Sequence, residues 1–366
     1  MIAYDGAMTS TSDRSPNGPS VVPPALHSWL IETLEKQGAD DKTPRLEPLQ
    51  TEASFRQFYR VIGANQPLVL MDSPPAKEQN PQFVAIAASF AAQGIRVPTV
   101  LAHQADDGWL LLTDLGHTHF MDAYREGNEQ QCLQAALTTL GRIAAVDDPV
   151  IADYTAGRLS DELDIFVDWL VRDACQIALP DTLFEGARKL LLANAADQPQ
   201  VCVHRDFHCK NLLWDKNLFE KNKRADSSQL DPVGVLDFQD ALRGPAGYDL
   251  ASLLHDCYWK FSDEIIDDVI SKVSSIDRRT LDLLAVQRQL KATGIFARLA
   301  SRDNKASHLP HITPVLENLI TLCSRYKELK PLSQWLADAL AAPAKAWVAK
   351  TQSAAKQKVK AQTTNV

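Results

Sequence analysis

Apolar residues recur along this 366-residue chain with two different periods, and the change of period divides it. Leu26, Trp29, Leu30 and Leu34 follow the three-and-four spacing of an amphipathic helix, which predicts a helix over 25–37. The next apolar runs are short and rich in aromatic, aliphatic and β-branched residues: SFRQFYRVI (54–62), PLVLMD (67–72) and WLLLTDL (109–115). They read as strands, the first two joined by the turn-like GANQ. Between the second and third lies a helical pattern, Pro81–Gln93, with Gly94 in a helix-stopping position. The first third therefore predicts strand–strand–helix–strand, a small α+β unit.

From Met121 onward the period is mostly helical, over 130–146, 160–178, 182–195, 247–260, 263–274, 279–300, 311–326 and 331–348. Two strand-like runs interrupt it, VCVHRD (201–206) and VGVLDF (233–238). The polar stretch 215–232 between them reads as a surface hairpin loop. Residues 1–24, rich in Ser, Thr, Pro and Gly, read as a disordered lead. The Lys- and Ala-rich segment 341–366 reads as either a frayed helix or a disordered tail. The resulting division is lead 1–24, first lobe 25–116, helical lobe 117–340 and tail 341–366.

The chemistry concentrates in the second lobe. VHRDFHCKNLLW (203–214) holds His204, Asp206 and Asn211 at the spacing H-R-D-x4-N, which protein kinases use in their catalytic loop. A carboxylate placed there accepts or orients a substrate hydroxyl proton. An asparagine five residues on can turn an amide oxygen to a Mg²⁺ that bridges phosphates. Downstream, the apolar run VGVLDFQD ends in Asp237 and Phe238, where a kinase-like fold places a second metal-binding aspartate. A hairpin of two strands would bring Asn211 and Asp237 to one hard-oxygen site. GPAGYDLASLLHDCYW (244–259) follows, with Asp249 in the first turn of a predicted helix. That acid either complements the helix dipole or accepts backbone N–H bonds from the catalytic loop. His204 and Asp249 are structural in both readings.

Composition narrows the partners. The formal charge is −8 with 45% hydrophobic and 23% charged residues, an ordinary globular balance that offers no basic face for nucleic acid or an anionic membrane. No apolar run is long enough to span a bilayer, and the first twenty residues lack a secretion signal. The six scattered cysteines contain no CxxC pair and fit reduced thiols in a cytoplasmic protein. Nothing in the sequence sets the oligomeric state.

VHRDFHCKNLL and GVLDFQDALRGPAGYDLASLLHDCY together resemble the aminoglycoside phosphotransferase superfamily of small-molecule kinases. Within it the likeness is greatest to the anomeric N-acetylmuramate/N-acetylglucosamine kinases. SFRQFYRV, LVLMDSPPAKE, LLTDLG and ELDIFVDWLV (162–171) share in it. The resemblance implies a two-lobed α+β protein-kinase-like fold and transfer from ATP, with Mg²⁺, to the C1 hydroxyl of an amino sugar. It implies Asp206 as base, Asn211 and Asp237 as metal ligands, and Thr113, Asp114 and Leu115 as the hinge that meets adenine. It draws the sugar contacts from Glu162, Trp169, Asp240, Arg243, Asp256 and Tyr258, with Arg243 on the lactyl carboxylate as a bidentate partner.

The chain departs from the general kinase pattern at the phosphates. Met71 stands where V-A-I-K would place its lysine, and residues 79–105 contain no Glu or Asp to pair with one. Lys77 or Arg56 would have to serve. TEASFRQFYR has no glycine, so Ser54, Phe55 and Arg56 would form a serine and backbone cradle. An aminoglycoside kinase and a nucleotide-binding pseudokinase are the competing readings. A protein kinase is excluded because Phe238 to Gly247 leaves no room for an activation segment ending in A-P-E.

Overall fold

The computed structural model describes residues 22–38, 44–49, 55–225, 231–273 and 276–363. Apart from residues 22–24, the N-terminal lead lies outside them, as does Ser54. The first lobe contains α1 (Pro24–Lys36), β1 (Arg45–Leu49), β2 (Gln57–Ile62), β3 (Leu68–Asp72), α2 (Asn80–Ala92), β4 (Val100–Gln104) and β5 (Trp109–Thr113). Its strands form one antiparallel sheet in the order β1-β2-β3-β5-β4. Leu26, Leu30 and Leu34 of α1 pack on one sheet face against Tyr59, Val61, Leu68, Leu70 and Leu111. Met71 and Leu110 face the opposite way, toward Phe83 and Phe90 of α2.

Two of the five strands, β1 and β4, are absent from the sequence expectation, and both are sheet edges. Every residue of central β3 is buried, whereas β1 buries none of its five residues. An edge strand solvated on one side and interrupted by Pro48 leaves little apolar period to detect.

The second lobe opens with α3 (Phe120–Arg125), α4 (Glu129–Ala144) and α5 (Ala156–Ile165), which runs on as a π-helix, Phe166–Ala174. Then come α6 (Asp181–Ala196), β6 (Gln200–Val203), β7 (Leu212–Trp214), α7 (Lys216–Ala225), β8 (Val233–Val235), β9 (Leu242–Pro245) and α8 (Tyr248–Leu254). It closes with α9 (Asp263–Ser271), α10 (Arg278–Ser301), α11 (Leu309–Ser324), α12 (Lys330–Trp335) and α13 (Ala341–Thr363). α10 is the axis of the lobe. Its Gly294 lets the π-helix approach closely: a Cβ there would sit 2.5 Å from Ile165 O.

Three sequence expectations change here. The presumed hairpin loop 215–232 contains helix α7, started by the Asp215 carboxylate, which accepts from Leu218 N at 3.0 Å. Leu218 and Phe219 alone are too few apolar residues to reveal a helical face. The strand that pairs with β8 is β7, while β6 pairs with β9. The helix expected to reach residue 260 stops at Leu254, because the Asp256 carboxylate captures Tyr258 N at 2.8 Å and competes with the helical ladder. The segment 341–363 is helical.

Candidate active site

The catalytic loop leaves β6 through a kink. Arg205 has φ 78°, a left-handed conformation costly for a residue with a β-carbon. Buried groups hold it there. Asp249 accepts from His204 N at 2.6 Å and from Arg205 N at 2.9 Å. The Arg205 guanidinium reaches Glu162 Oε1 at 2.5 Å and donates to Asp240 O at 3.2 Å. Its flat face lies 5.0 Å from the Tyr154 ring centroid, and Tyr154 in turn hydrogen-bonds Glu162 through its hydroxyl. Asp256 accepts from Cys209 N at 2.8 Å further along the loop.

His204, fully buried, ties Asp206 to Leu236, the neighbour of Asp237. Its Nδ1 accepts from Asp206 N at 3.2 Å, and its Nε2 stands 2.8 Å from Leu236 O. Both bonds are satisfied by the neutral ring protonated on Nε2. Asp206 itself keeps 39% of its side chain exposed, with Arg288 Nη2 3.5 Å from Oδ1. Burial alone would raise its carboxyl, but the Lys291 and Arg288 cations, with His208 and Arg205, hold it well below the usual carboxylate range. It is ionised at neutral pH, as a proton acceptor must be.

Asn211 and Asp237 meet through the β7–β8 hairpin. Leu212 faces Val235 in register, and Leu236 N donates to Asn211 O at 2.9 Å. Asn211 Nδ2 is committed to Asp206 O at 3.0 Å, so the amide oxygen is what Asn211 can offer a cation. Asp237 sits at φ 59° and accepts from Gln239 Nε2 at 2.7 Å. The residues after it rest on α2: Phe238 packs 4.9 Å from Phe83, and Gln82 Nε2 donates to Gln239 O at 3.2 Å. One amide and one carboxylate oxygen suit a Mg²⁺ that takes its remaining ligands from phosphates and water. Among the described residues no cluster of three or more His, Cys, Asp or Glu offers a self-sufficient metal site.

Across the cleft, Met71 is fully buried in the apolar core, so β3 offers the phosphates no cation. A different buried ion pair lies nearby. Arg56, 4% exposed at the foot of β2, lies 3.2 Å from Glu78 and donates to Ser73 Oγ at 3.3 Å, with its guanidinium over Phe83. Glu78 lies one residue before the acid-free window 79–105, so this pair is separate from the lysine and acid that the chain lacks. Lys77 Nζ instead sits 4.4 Å from the ring centroid of Phe55, which is 60% exposed. At the hinge, Thr113 N and Asp114 N bond back to Thr99 O and Pro67 O. Arg60 clamps the Asp114 carboxylate at 2.6 Å, and Arg96 takes Leu115 O at 3.0 Å.

The six expected sugar contacts do not converge. Glu162 is 6% exposed, with Arg205, Tyr154 and, at 3.3 Å, Lys291 on its oxygens, so it supports the loop from behind. Both Asp256 oxygens are taken by backbone N–H groups. Arg243 reaches out to Asp147 at 2.6 Å, and no contact joins it to the Asp206 cluster among the described residues. Trp169 lies half-buried on the π-helix against the core. Tyr258 packs among His208, Phe296 and His311, with Lys210 Nζ 4.1 Å from its ring centroid. Only Asp240, 61% exposed and 4.0 Å from Arg205, remains open beside the loop. The sequence reading missed Arg205, Tyr154, Arg288 and Lys291. Arg288 and Lys291 had a signal: two cations three apart in a long helical run flanked on both sides by apolar residues.

A small antiparallel sheet over a helical lobe, with an aspartate loop and a second aspartate across one hairpin, defines a two-lobed kinase-like phosphotransferase. The chain belongs to the phosphotransferase enzyme family whose model matches residues 45–284. It is similar to the N-acetylmuramate/N-acetylglucosamine kinase of Pseudomonas aeruginosa, with 34% identity over 85% of this chain and 94% of that one. It is also similar to the kinase of the same name from Neisseria meningitidis, with 31% identity over 84% of this chain and 92% of that one. Among solved structures, a choline/ethanolamine kinase family protein from Mesorhizobium loti shares the fold at TM-score 0.56 and 13% identity, covering 85% of this chain and 99% of that one. The GDP complex of aminoglycoside 2′-phosphotransferase-IIIa does so at TM-score 0.54 and 16% identity, covering 83% of this chain and all of that one. The protein is thus a phosphotransferase of a family whose structural neighbours bind nucleotides in this fold. No helix among the described residues is long and apolar enough to cross a membrane.

Proposed function

We propose that the protein is a cytoplasmic, ATP- and Mg²⁺-dependent kinase that phosphorylates the anomeric hydroxyl of N-acetylmuramate and N-acetylglucosamine in peptidoglycan recycling. The observation that carries the reading is the hairpin juxtaposition of Asp206, Asn211 and Asp237 in a chain so similar to kinases named for those two sugars. In the reaction, Asp206 takes the proton of the C1 hydroxyl as its oxygen bonds the γ-phosphorus. The bond from that phosphorus to the β–γ bridging oxygen breaks, and ADP leaves. Asn211 and Asp237 would hold Mg²⁺, which when bound neutralises charge on the phosphate oxygens. The Arg56–Glu78 pair takes the place of the β3 lysine pair beside the nucleotide phosphates, and Thr113–Leu115 frame the adenine.

An aminoglycoside acceptor is disfavoured on a specific ground. The relatives that this chain resembles over most of its length are named for N-acetylmuramate and N-acetylglucosamine, not for aminoglycosides. The product distinguishes C1 chemistry from C6 chemistry. A sugar 1-phosphate has its anomeric oxygen blocked and gives no reducing-end reaction, whereas a 6-phosphate still reduces. Incubation of either sugar with ATP should consume reducing ends in step with ADP release. A product that still reduces would refute the C1 assignment.

A further inference from the structure

Helix α10 is buried on nearly every side, yet its middle carries Gln287, Arg288, Gln289 and Lys291, all 7% exposed or less. Three of these have partners. Gln287 Nε2 lies 3.5 Å from Glu162 Oε2, Gln289 Nε2 donates to His255 O at 3.0 Å, and Lys291 Nζ stands 3.3 Å from Glu162 Oε1. Arg288 is different. Its contact with Asp206 is 3.5 Å, longer than the ~2.7–2.9 Å of a strong charge-assisted bond. Its buried Nη1 has no acceptor among the described residues.

The neighbouring carboxylates cannot supply one. Glu162 is occupied by Arg205, Lys291 and Tyr154, and Asp249 and Asp256 by two backbone N–H groups each. A buried guanidinium with an unmet donor is expensive to keep, and this one lies beside the base. Across the loop, His208 Nδ1 is likewise buried without a partner. Buried nitrogens of Arg288, His208 and Arg205 without partners among the described residues, on residues whose charges all act on Asp206, mark a site whose acceptor arrives with the substrate.

We propose that Arg288 binds the acceptor sugar, donating from Nη1 to the carbonyl oxygen of its 2-acetamido group. The C1 hydroxyl and the C2 substituent are vicinal, so a sugar that presents C1 to Asp206 brings the acetamido group to the adjacent guanidinium. The lactyl ether of N-acetylmuramate hangs one carbon further away, on C3. The contact is therefore common to both sugars, and it makes C1 the hydroxyl that meets the base. This rests on the substrate reading above.

Steady-state kinetics on both sugars, with calorimetric sugar binding in the presence of ADP, test it. Arg288→Gln should weaken sugar affinity and raise sugar KM by about 10- to 100-fold, the range for a hydrogen bond from a charged donor. The loss should be equal for the two sugars and leave the KM for ATP unchanged. A loss confined to N-acetylmuramate would assign Arg288 to the lactyl carboxylate and overturn the acetamido contact. A fall in kcat with sugar affinity intact would mean that Arg288 acts only on Asp206, which also overturns it. Should Arg288→Gln fail to fold, Arg288→Lys keeps the buried charge but not the fork and must still show the equal loss. Turnover of neither sugar by the wild-type enzyme defeats the substrate reading and this contact with it. Normal turnover with unchanged sugar affinity in the variant defeats this contact alone.

Discussion

Both lobes have apolar cores, but the second adds a network of buried charge beneath its catalytic loop. Beneath the sheet of the first lobe, α1 seals a core of leucines with Val61 and Tyr59. Beneath the catalytic loop, the second lobe buries Glu162, His204, Arg205, Asp249, Asp256, Arg288 and Lys291, and further off Asp282. An apolar core stabilises through area removed from water and tolerates imprecision. Buried charges are a weak source of stability, because desolvation offsets their attraction, but each demands particular partners in one geometry. The first lobe is thus a stable platform for the nucleotide proposed above. The second lobe gives up that freedom to fix a strained loop at Arg205 and Asp237.

The contrast breaks most sharply at Asp237, the proposed metal ligand. Asp237→Ala should leave no measurable turnover, as should EDTA treatment of the wild type, while thermal unfolding barely changes because the side chain is exposed. Activity surviving either treatment would remove the metal from the scheme. Next in size, Asp206→Asn should lower kcat by about 10²-fold or more, the scale of general-base loss. Calorimetry should find ATP binding intact, since no Asp206 contact reaches the first lobe among the described residues.

Asp282 separates buried charge from chemistry. It is fully buried, with His255, Arg278 and Arg325 within 3.1 Å and Tyr326 donating at 2.8 Å, yet it does not touch the catalytic loop. Burial opposes its ionisation, but the hydrogen bond and charge of His255, with Tyr326 and Arg278, hold its carboxyl down at about 2. A carboxyl whose folded pKa is depressed stabilises above its unfolded value, near 4, and loses that contribution as pH falls toward 2. Asp282→Asn mimics the protonated state. It should cost about 2–3 kcal/mol in urea unfolding at pH 7, with the gap to wild type narrowing below about pH 4. Sugar kinetics should be unaffected; an equal loss of kcat would join Asp282 to the active site.

The smallest effect belongs to Arg243. Its partner Asp147 is 89% exposed, so the pair contributes under about 1 kcal/mol. Arg243→Ala should leave the ratio of kcat/KM values for the two sugars unchanged. A selective loss on N-acetylmuramate would restore Arg243 to the lactyl carboxylate against the position seen here.

How much of this was legible in the chain depends on how local each interaction is. Asp206, Asn211 and Asp237 stand out because a catalytic loop and a hairpin of fixed length leave a fixed spacing. The central strands β3 and β5 stand out because burial on both faces writes a continuous apolar run, and β2 because its aromatic and β-branched residues alternate in burial. The edges β1 and β4 lack that record, and polar α7 carries too few apolar residues to make one. For Glu162, Asp256 and Arg243, residue type suggested sugar contacts. Whether a carboxylate faces a ligand or the back of its own loop depends on which chain segment happens to pack behind it.

By itself, then, the sequence determined the two-lobed architecture, the spacing of Asp206, Asn211 and Asp237 and the absence of a lysine from β3, all set by period and short-range spacing. Tertiary structure alone decided that Glu78 answers Arg56, that Glu162 and Asp249 hold the loop, and that Arg288 is left with a donor to offer. These are contacts between residues far apart in the chain, such as Glu162 with Lys291 and Arg205 with Tyr154. Desolvation makes each of them matter only once the helices have closed around α10.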